Sequence, residues 1–318
     1  MKPNRRKMLS GLSLAAACSR FASPSVFAAP RENRKFTMDL CPGRLGVKAN
    51  QVETIQLGKR YGFESVEPLS WDLKKKSPDE VAATVSMLKE NDLVWGAGGL
   101  PVEFRKDEAK FKQDMEALPG HCLAYQMHGV TRVGTWMMPT HDSRTYRANF
   151  DLHASRLRQA GKVLADHGLS LGLEYVGPRT LWSSQRYAFI HTMAETKELL
   201  EAIGLPNVGF VLDSWHWYTA EETVEDLKSI SKDQIIAVDL NDAPAGIPIN
   251  EQIDNTRALP SATGVIDLKR FLMTLVELGY DGPIRAEPFD KELNAMDNEP
   301  AVEKTSIAMK KAFSLIGG

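Results

Sequence analysis

The stretch that decides the fold runs from 207 to 240: NVGFVLDSWHWYTAEETVEDLKSISKDQIIAVDL. Its two ends, 207–213 and 234–240, are short aliphatic runs of the kind that form strands buried on both faces. Between them, 220–230 carries apolar residues at helical spacing. Strand, helix, strand over this length is a βαβ unit, which places the two strands parallel in one sheet. An acid closes the first run, Asp213, and another lies one residue from the end of the second, Asp239.

Outward from this unit the alternation repeats. Further strands are expected at 36–41 (FTMDLC), 64–68 (ESVEP), 93–97 (LVWGA), 131–136 (TRVGTW), 169–174 (LSLGLE) and 283–287 (PIRAE). Helical patterns fill 78–91, 143–167, 191–203 and 267–279. Ser77-Pro78-Asp79-Glu80 offers a cap, a first-turn proline and first-turn acids. Gly62, Gly168, Gly204 and Gly279 each follow a helical run, where a glycine stops a helix. Eight strands alternating with helices close a (β/α)8 TIM barrel, an α/β fold, as a single domain over 36–318. A doubly wound open sheet is the rival. The barrel is preferred because chemically interesting residues recur at the ends of several strands, not at one switch point.

Composition agrees. The chain has 318 residues, a formal net charge of −2 and 43% apolar residues, enough for a sizeable core. The near-neutral balance leaves no basic footprint for nucleic acid and no polybasic handle for a membrane surface. The N-terminus is a separate segment. Asn4-Arg5-Arg6-Lys7 precedes an apolar run at 9–17, and Val26-Phe27-Ala28 fits a signal peptidase site before Ala29. Residues 1–28 therefore read as a twin-arginine export signal to the periplasm, with 29–35 a loose lead-in. The apolar run is too short to span a membrane. A lipid anchor at Cys18, in Ala15-Ala16-Ala17-Cys18, is the minor alternative. Cys41 and Cys122 lack zinc-site spacing and read as buried free thiols.

The acids at strand ends carry the chemistry. Glu174 ends the fifth strand, Asp213 the sixth, Asp239 lies late in the seventh and Glu287 ends the eighth. In a barrel these ends converge on one face. One such acid alone reads as a loop cap or a partner of arginine. Four together repel unless a cation neutralises them, and all-oxygen ligands favour Mn²⁺ or Mg²⁺ over zinc. His216, three residues after Asp213 and flanked by Trp215 and Trp217, is expected on the loop above the sixth strand, facing the metal or a substrate oxygen.

With these residues in place the chain resembles the xylose isomerase-like barrel superfamily, in its sugar phosphate isomerase and epimerase branch. The resemblance rests on Leu173-Glu174, Asp213-x-x-His216, Val238-Asp239-Leu240-Asn241-Asp242 and the run from Gly279 to Phe289. It implies that Glu174, Asp213, Asp239 and Glu287 hold one divalent ion and that Glu174 and Glu287 move protons. One would remove the proton next to a carbonyl, giving a metal-stabilised enediolate, and the other would return it. His216 would bind a substrate oxygen. Two departures stand out. The third ligand in such enzymes is usually His, sometimes Gln, and Asp239 takes that place. The arginine that epimerases carry shortly afterwards is missing from Ala243-Pro244-Ala245-Gly246, and Arg257 either supplies that charge or is an ordinary surface residue. Asp242 is expected behind the ligands or as a loop cap.

Around the mouth, Glu67, Trp71, Trp136, Trp215, Trp217 and Arg179 are candidates to contact a sugar, each with packing or ion pairing as the plainer alternative. His121 and His128 read as structural. The expected activity is isomerisation or epimerisation of a sugar or keto-sugar. A lyase or dehydratase acting on a keto-glycoside or inosose would use the same acids and metal. An endonuclease IV-like nuclease conflicts with the seven histidines and the net charge of −2. A non-catalytic sugar-binding protein would not need four converging carboxylates. The expected partners are a small sugar substrate and, compatibly, a second copy of the chain; neither nucleic acid nor stable membrane insertion is expected.

Overall fold

The structure, a computed structural model, describes residues 33–317. The twin-arginine stretch, the cleavage site before Ala29 and Cys18 lie outside the described residues. In chain order the strands are β1 (Thr37–Leu40), β2 (Ser65–Val66), β3 (Val94–Trp95), β4 (Gly98–Gly99), β5 (Arg132–Trp136), β6 (Thr140–His141), β7 (Ser170–Glu174), β8 (Tyr187–Ala188), β9 (Val208–Asp213), β10 (Ile235–Leu240) and β11 (Pro283–Ala286). Nine of them form one parallel sheet in the order β3-β2-β1-β11-β10-β9-β7-β5-β4. Its two ends, β3 and β4, are separated in sequence only by Gly96 and Ala97. One stretch of chain thus serves both ends, and the row closes into a ring of eight positions, each at an expected strand. β6 and β8 pair antiparallel outside the ring.

Helices alternate with the strands for the reasons the sequence suggests. Pro78–Glu90 starts with a complete Ser77–Glu80 capping box and proline in its first turn. Leu268–Leu278 buries Leu268, Phe271, Leu272 and Leu275 along one face. Three expectations are corrected. The helix expected over 220–230 covers only Val224–Lys228, and a separate short helix, Ser214–Thr219, precedes it. His216 therefore sits in a helix, not in a loop, because the Asp213 carboxylate accepts from the Trp215 N–H and starts the turn directly at the strand end. The lead-in is not loose throughout: Arg34 pairs with Glu64 and lies over the Phe313 ring.

Strand register sets the site. Asp213 lies opposite Asp239, Asp239 opposite Arg285, Arg285 opposite Asp39, and Asp39 opposite Ser65. Side chains alternate along strands, so this row projects to one side of the sheet. One step below it, Val211 lies opposite Ala237, and with Ala97 they form a small apolar cluster. The barrel interior therefore changes from apolar to charged within two residues of the strand ends.

Candidate metal centre

Glu174, Asp213, Asp239 and Glu287 are all buried at the C-terminal ends of adjacent strands. One carboxylate oxygen each from Glu174, Asp239 and Glu287 lie within 4.8 Å of one another. Glu174 Oε1 is buried without a hydrogen-bond partner among the described residues. An unpartnered buried carboxylate oxygen costs several kcal/mol, roughly, unless a cation or donor meets it. The Glu174 carboxyl is accordingly held well above its usual range, first by burial and then by Glu287, Asp239 and Asp213. Three carboxylates in reach of one point, one of them bare, fit a hard divalent ion.

Asp213 is more heavily used. Its Oδ1 accepts from the Trp215 N–H (2.8 Å) and Asn241 Nδ2 (3.0 Å), and its Oδ2 from Arg257 Nη1 (2.7 Å) and Asn241 Nδ2 (3.1 Å). Burial nevertheless raises its pKa to about 7, against Arg257. Asn241, within the Val238–Asp242 motif, also accepts from the Glu287 N–H (3.0 Å) and so joins two predicted ligands.

Three arginines balance the acids, and only one was foreseen. Arg257 is buried beside the acids, so it is not an ordinary surface arginine. Its Nη1 pairs with Asp213 and with Glu287 (2.9 Å), its Nη2 with Asp254 (2.9 Å), and its Nε donates to the Asp254 carbonyl. Arg285 donates from Nε to Asp239 Oδ1 (2.6 Å), from Nη2 to Asp239 Oδ2 (3.4 Å) and from Nη1 to the Ala97 carbonyl (3.1 Å). Arg44, in the short turn Pro42–Leu45 after β1, places Nη1 on both Asp239 Oδ2 (3.0 Å) and Glu287. Burial works to raise the Asp239 pKa, yet Arg285 and Arg44 together hold it below the ordinary carboxylate value. In the same row Asp39 has neither oxygen hydrogen-bonded among the described residues, and burial, against the pull of Arg285, lifts it to about 7. Gly96 packs so closely that a Cβ there would lie 2.2 Å from that carboxylate.

His216 is oriented by backbone. The Gly177 N–H donates to its Nδ1 (3.1 Å), and a Cβ on Gly177 would lie 2.7 Å from the His216 carbonyl, so only glycine lets the two approach. Burial and then Arg257 hold the imidazole well below its ordinary pKa, so the ring is neutral. With Nδ1 accepting, the ring proton sits on Nε2, 3.6 Å from Glu174 Oε1 and 3.8 Å from Asp213 Oδ2. The 3.4 Å approach of Arg257 Nη2 to Nε2 is then a contact between two donors. In this tautomer His216 offers the site a hydrogen-bond donor; Glu174, Asp213 and His216 also bring one ligand atom each within 4.8 Å of one another, a second group able to hold an ion in the other tautomer.

The other candidates lie apart from this cluster. Trp215 is fully buried beneath the Arg257 guanidinium and Trp217 is buried against Phe271, so neither offers a ring face at the mouth. Trp136 is 41% exposed, with Arg105 stacked on it, and borders a groove of about 440 Å³. Trp71 and Glu67 border another of about 670 Å³, where Glu67 accepts from Cys41 Sγ (2.9 Å). Arg179 is exposed on the rim over Trp182. Asp242 caps the following loop, accepting from the N–H groups of Thr263, Gly264 and Ile266. His128 is buried and bonds through Nδ1 to the Ala124 carbonyl, while its Nε2 has no hydrogen-bond partner among the described residues. Cys41 and Cys122 are buried free thiols. Among the described residues no helix is long and apolar enough to cross a membrane.

Comparison with known proteins agrees with this architecture. An inosose isomerase from Halalkalibacterium halodurans is 26% identical over 163 residues, covering 50% of this chain and 55% of that protein. A 3-dehydroshikimate dehydratase from Pseudomonas aeruginosa is 28% identical over 145 residues, covering 45% of this chain and 22% of that enzyme. The chain thus spans about half the length of the inosose isomerase it matches. Among solved structures, a xylose isomerase domain protein from Alicyclobacillus acidocaldarius superposes with a TM-score of 0.77 at 29% identity, covering 89% of this chain and all of that one. The IolI protein with a bound zinc atom superposes with a TM-score of 0.72 at 21% identity, covering 88% and 98%, a likeness of fold. The model of the xylose isomerase-like TIM barrel family matches residues 55–312, and the chain belongs to that family.

Proposed function

We propose that this protein is a divalent-metal-dependent isomerase or epimerase that moves a proton next to the carbonyl of a small polyhydroxylated ketone. The observation that carries the reading is the buried Glu174, whose Oε1 has no hydrogen bond among the described residues and which brings one carboxylate oxygen within 4.8 Å of one each from Asp239 and Glu287. Glu174, Asp239 and Glu287 would hold the ion, with Asp213 beside them. When bound, the ion would supply Lewis-acid polarisation of the carbonyl and favour Mn²⁺ or Mg²⁺ by its oxygen donors. Among the described residues Glu174 forms no ion pair with an arginine, whereas Arg44 and Arg257 clamp Glu287. That asymmetry makes Glu174 the group that takes the proton and Glu287 the group that returns one from the other side. His216 Nε2–H donates to the substrate oxygen on which negative charge grows. Burial of the whole cluster excludes water and strengthens each of these interactions.

Inosose isomerase among the relatives supports this reading. The dehydratase relatives support a second one, in which the same abstraction is followed by loss of a β-hydroxyl or β-glycosidic substituent. Incubating the metal-loaded protein with inososes and keto-sugars in D₂O tests both. Deuterium in a recovered isomer or epimer supports the first; release of water or an aglycone supports the second. The absence of exchange and of elimination across that panel contradicts both. The paired arginines at 5 and 6 support export before action, and mass spectrometry of the mature protein should find Ala29 at its N-terminus.

A further inference from the structure

Of the three arginines in the centre, two are fixed and one is not. Arg257 and Arg285 are buried, with side chains 2% and 3% exposed, and each donates through all of its guanidinium nitrogens. Arg44 differs in every respect. Its side chain is 23% exposed, it lies on a short turn after β1, and among the described residues its bonds into the site all run through Nη1. That one nitrogen sits on Asp239 Oδ2 and on Glu287, two of the three carboxylates that can reach a common ion. Asp239 Oδ1 is taken by Arg285 at 2.6 Å, with a longer 3.4 Å bond from Arg285 to Oδ2, and Glu287 Oε2 is taken by Arg257 at 2.9 Å. The oxygens left for an ion on these two residues are therefore those that Arg44 occupies.

Two cations cannot share the same oxygens at contact distance without strong repulsion. We propose that Arg44 is the resident counter-cation of this centre: it holds Asp239 and Glu287 in place until a divalent ion displaces it toward the mouth. Arg44 is a positioning residue in this account. It neutralises two buried acids before the ion arrives, sets how tightly the ion binds, and on leaving gives Glu287 back an oxygen. The inference rests on the metal reading above but concerns occupancy, not turnover.

Calorimetric titration of Mn²⁺ into the metal-stripped full-length protein tests it. R44Q removes the competing charge and is expected to bind Mn²⁺ at least tenfold more tightly than the natural protein. R44K, which keeps the charge, is expected to return to within about threefold of it. Folded R44Q that binds Mn²⁺ equally or more weakly overturns the proposal. Binding in R44Q but not in the natural protein supports it strongly. Absence of binding in both overturns the metal reading and this inference together. Where R44Q does not fold, crystals of the natural protein with and without Mn²⁺ decide: Arg44 Nη1 should leave both carboxylates when the ion is present, and an unmoved Arg44 beside a bound ion contradicts the displacement.

Discussion

Two successive layers of the barrel interior differ in what holds them. The lower one, Ala97, Val211 and Ala237, is small, apolar and fully packed. The upper one, Asp213, Asp239, Arg285 and Asp39, is charged and buried, and its order comes from ion pairs and strand register. The lower layer gains stability by removing apolar surface from water. The upper layer gives up that gain, since burying a charge is unfavourable and pairing only offsets the cost. A barrel keeps such a layer at its C-terminal face because chemistry needs charges placed before substrate arrives. Trp136, Trp71 and Arg179 form a third, exposed tier around the opening. The contrast separates what the protein does from what it acts on.

The largest test falls on the upper layer. Replacing Glu174 by Gln keeps size but removes the base and one negative charge from the cluster. Solvent deuterium exchange into substrate should fall by about 10²–10⁴-fold, with substrate binding largely retained. Exchange within threefold of the natural rate would remove Glu174 from the proton path.

Next comes the pairing that replaces packing. Arg285→Met leaves Asp239 buried without the guanidinium that bonds both its oxygens, and breaking a buried pair costs about 3–5 kcal/mol. Urea unfolding of the metal-free protein should show that loss, whereas Val211→Ala in the lower layer should cost about 1–3 kcal/mol through a cavity. Equal losses would mean that the charged layer is no more dependent on its pairs than the apolar one on its contacts.

The charged layer should also respond to pH as the apolar one cannot. Asp39 has its pKa raised from 3.8 to about 7 by burial. In the folded state it binds a proton that the unfolded chain releases near pH 4, so its contribution to stability falls as pH rises from about 4 to about 7. At about 1.4 kcal/mol per unit this is an effect of a few kcal/mol. Asp39→Asn should therefore gain stability relative to the natural protein between pH 5 and pH 8, measured by urea unfolding without metal. Parallel stability profiles would contradict the burial of an unpaired Asp39.

The smallest effect belongs to the rim. Trp136→Ala should raise KM about three- to tenfold through a lost stacking face worth about 1 kcal/mol and leave kcat unchanged. A fall in kcat with KM constant would place Trp136 with the chemistry rather than with substrate choice.

These layers were unequally legible in the sequence. Glu174, Asp213, Asp239 and Glu287 stood out because each closes or nearly closes an apolar run, and the eight runs themselves gave the barrel. Arg285 and Asp39 were visible as charges inside PIRAE and FTMDLC, yet their meaning depends on register, which places Arg285 between Asp239 and Asp39 only once the strands are aligned. Arg44 carried no signal, since its reach to Asp239, 195 positions away, depends on the path of one short turn. Trp215 and Trp217 left packing as the plainer reading beside a place at the mouth, because a tryptophan after a strand end can face either way. The short helix begun by Asp213 turned both inward. Arg257 was found but undecided, because a loop residue 44 positions from Asp213 reaches it only through the loop's fold.

The central claim is that Glu174, Asp239 and Glu287 form the cradle of one divalent ion while His216 stays a donor. Anomalous diffraction from crystals soaked in Mn²⁺ tests it most directly. The account predicts one peak within coordinating distance of a carboxylate oxygen from each of the three acids, with His216 Nδ1 still accepting from the Gly177 N–H. Absence of a peak at the cluster, or a peak ligated by His216 Nε2 with that backbone bond broken, would contradict it.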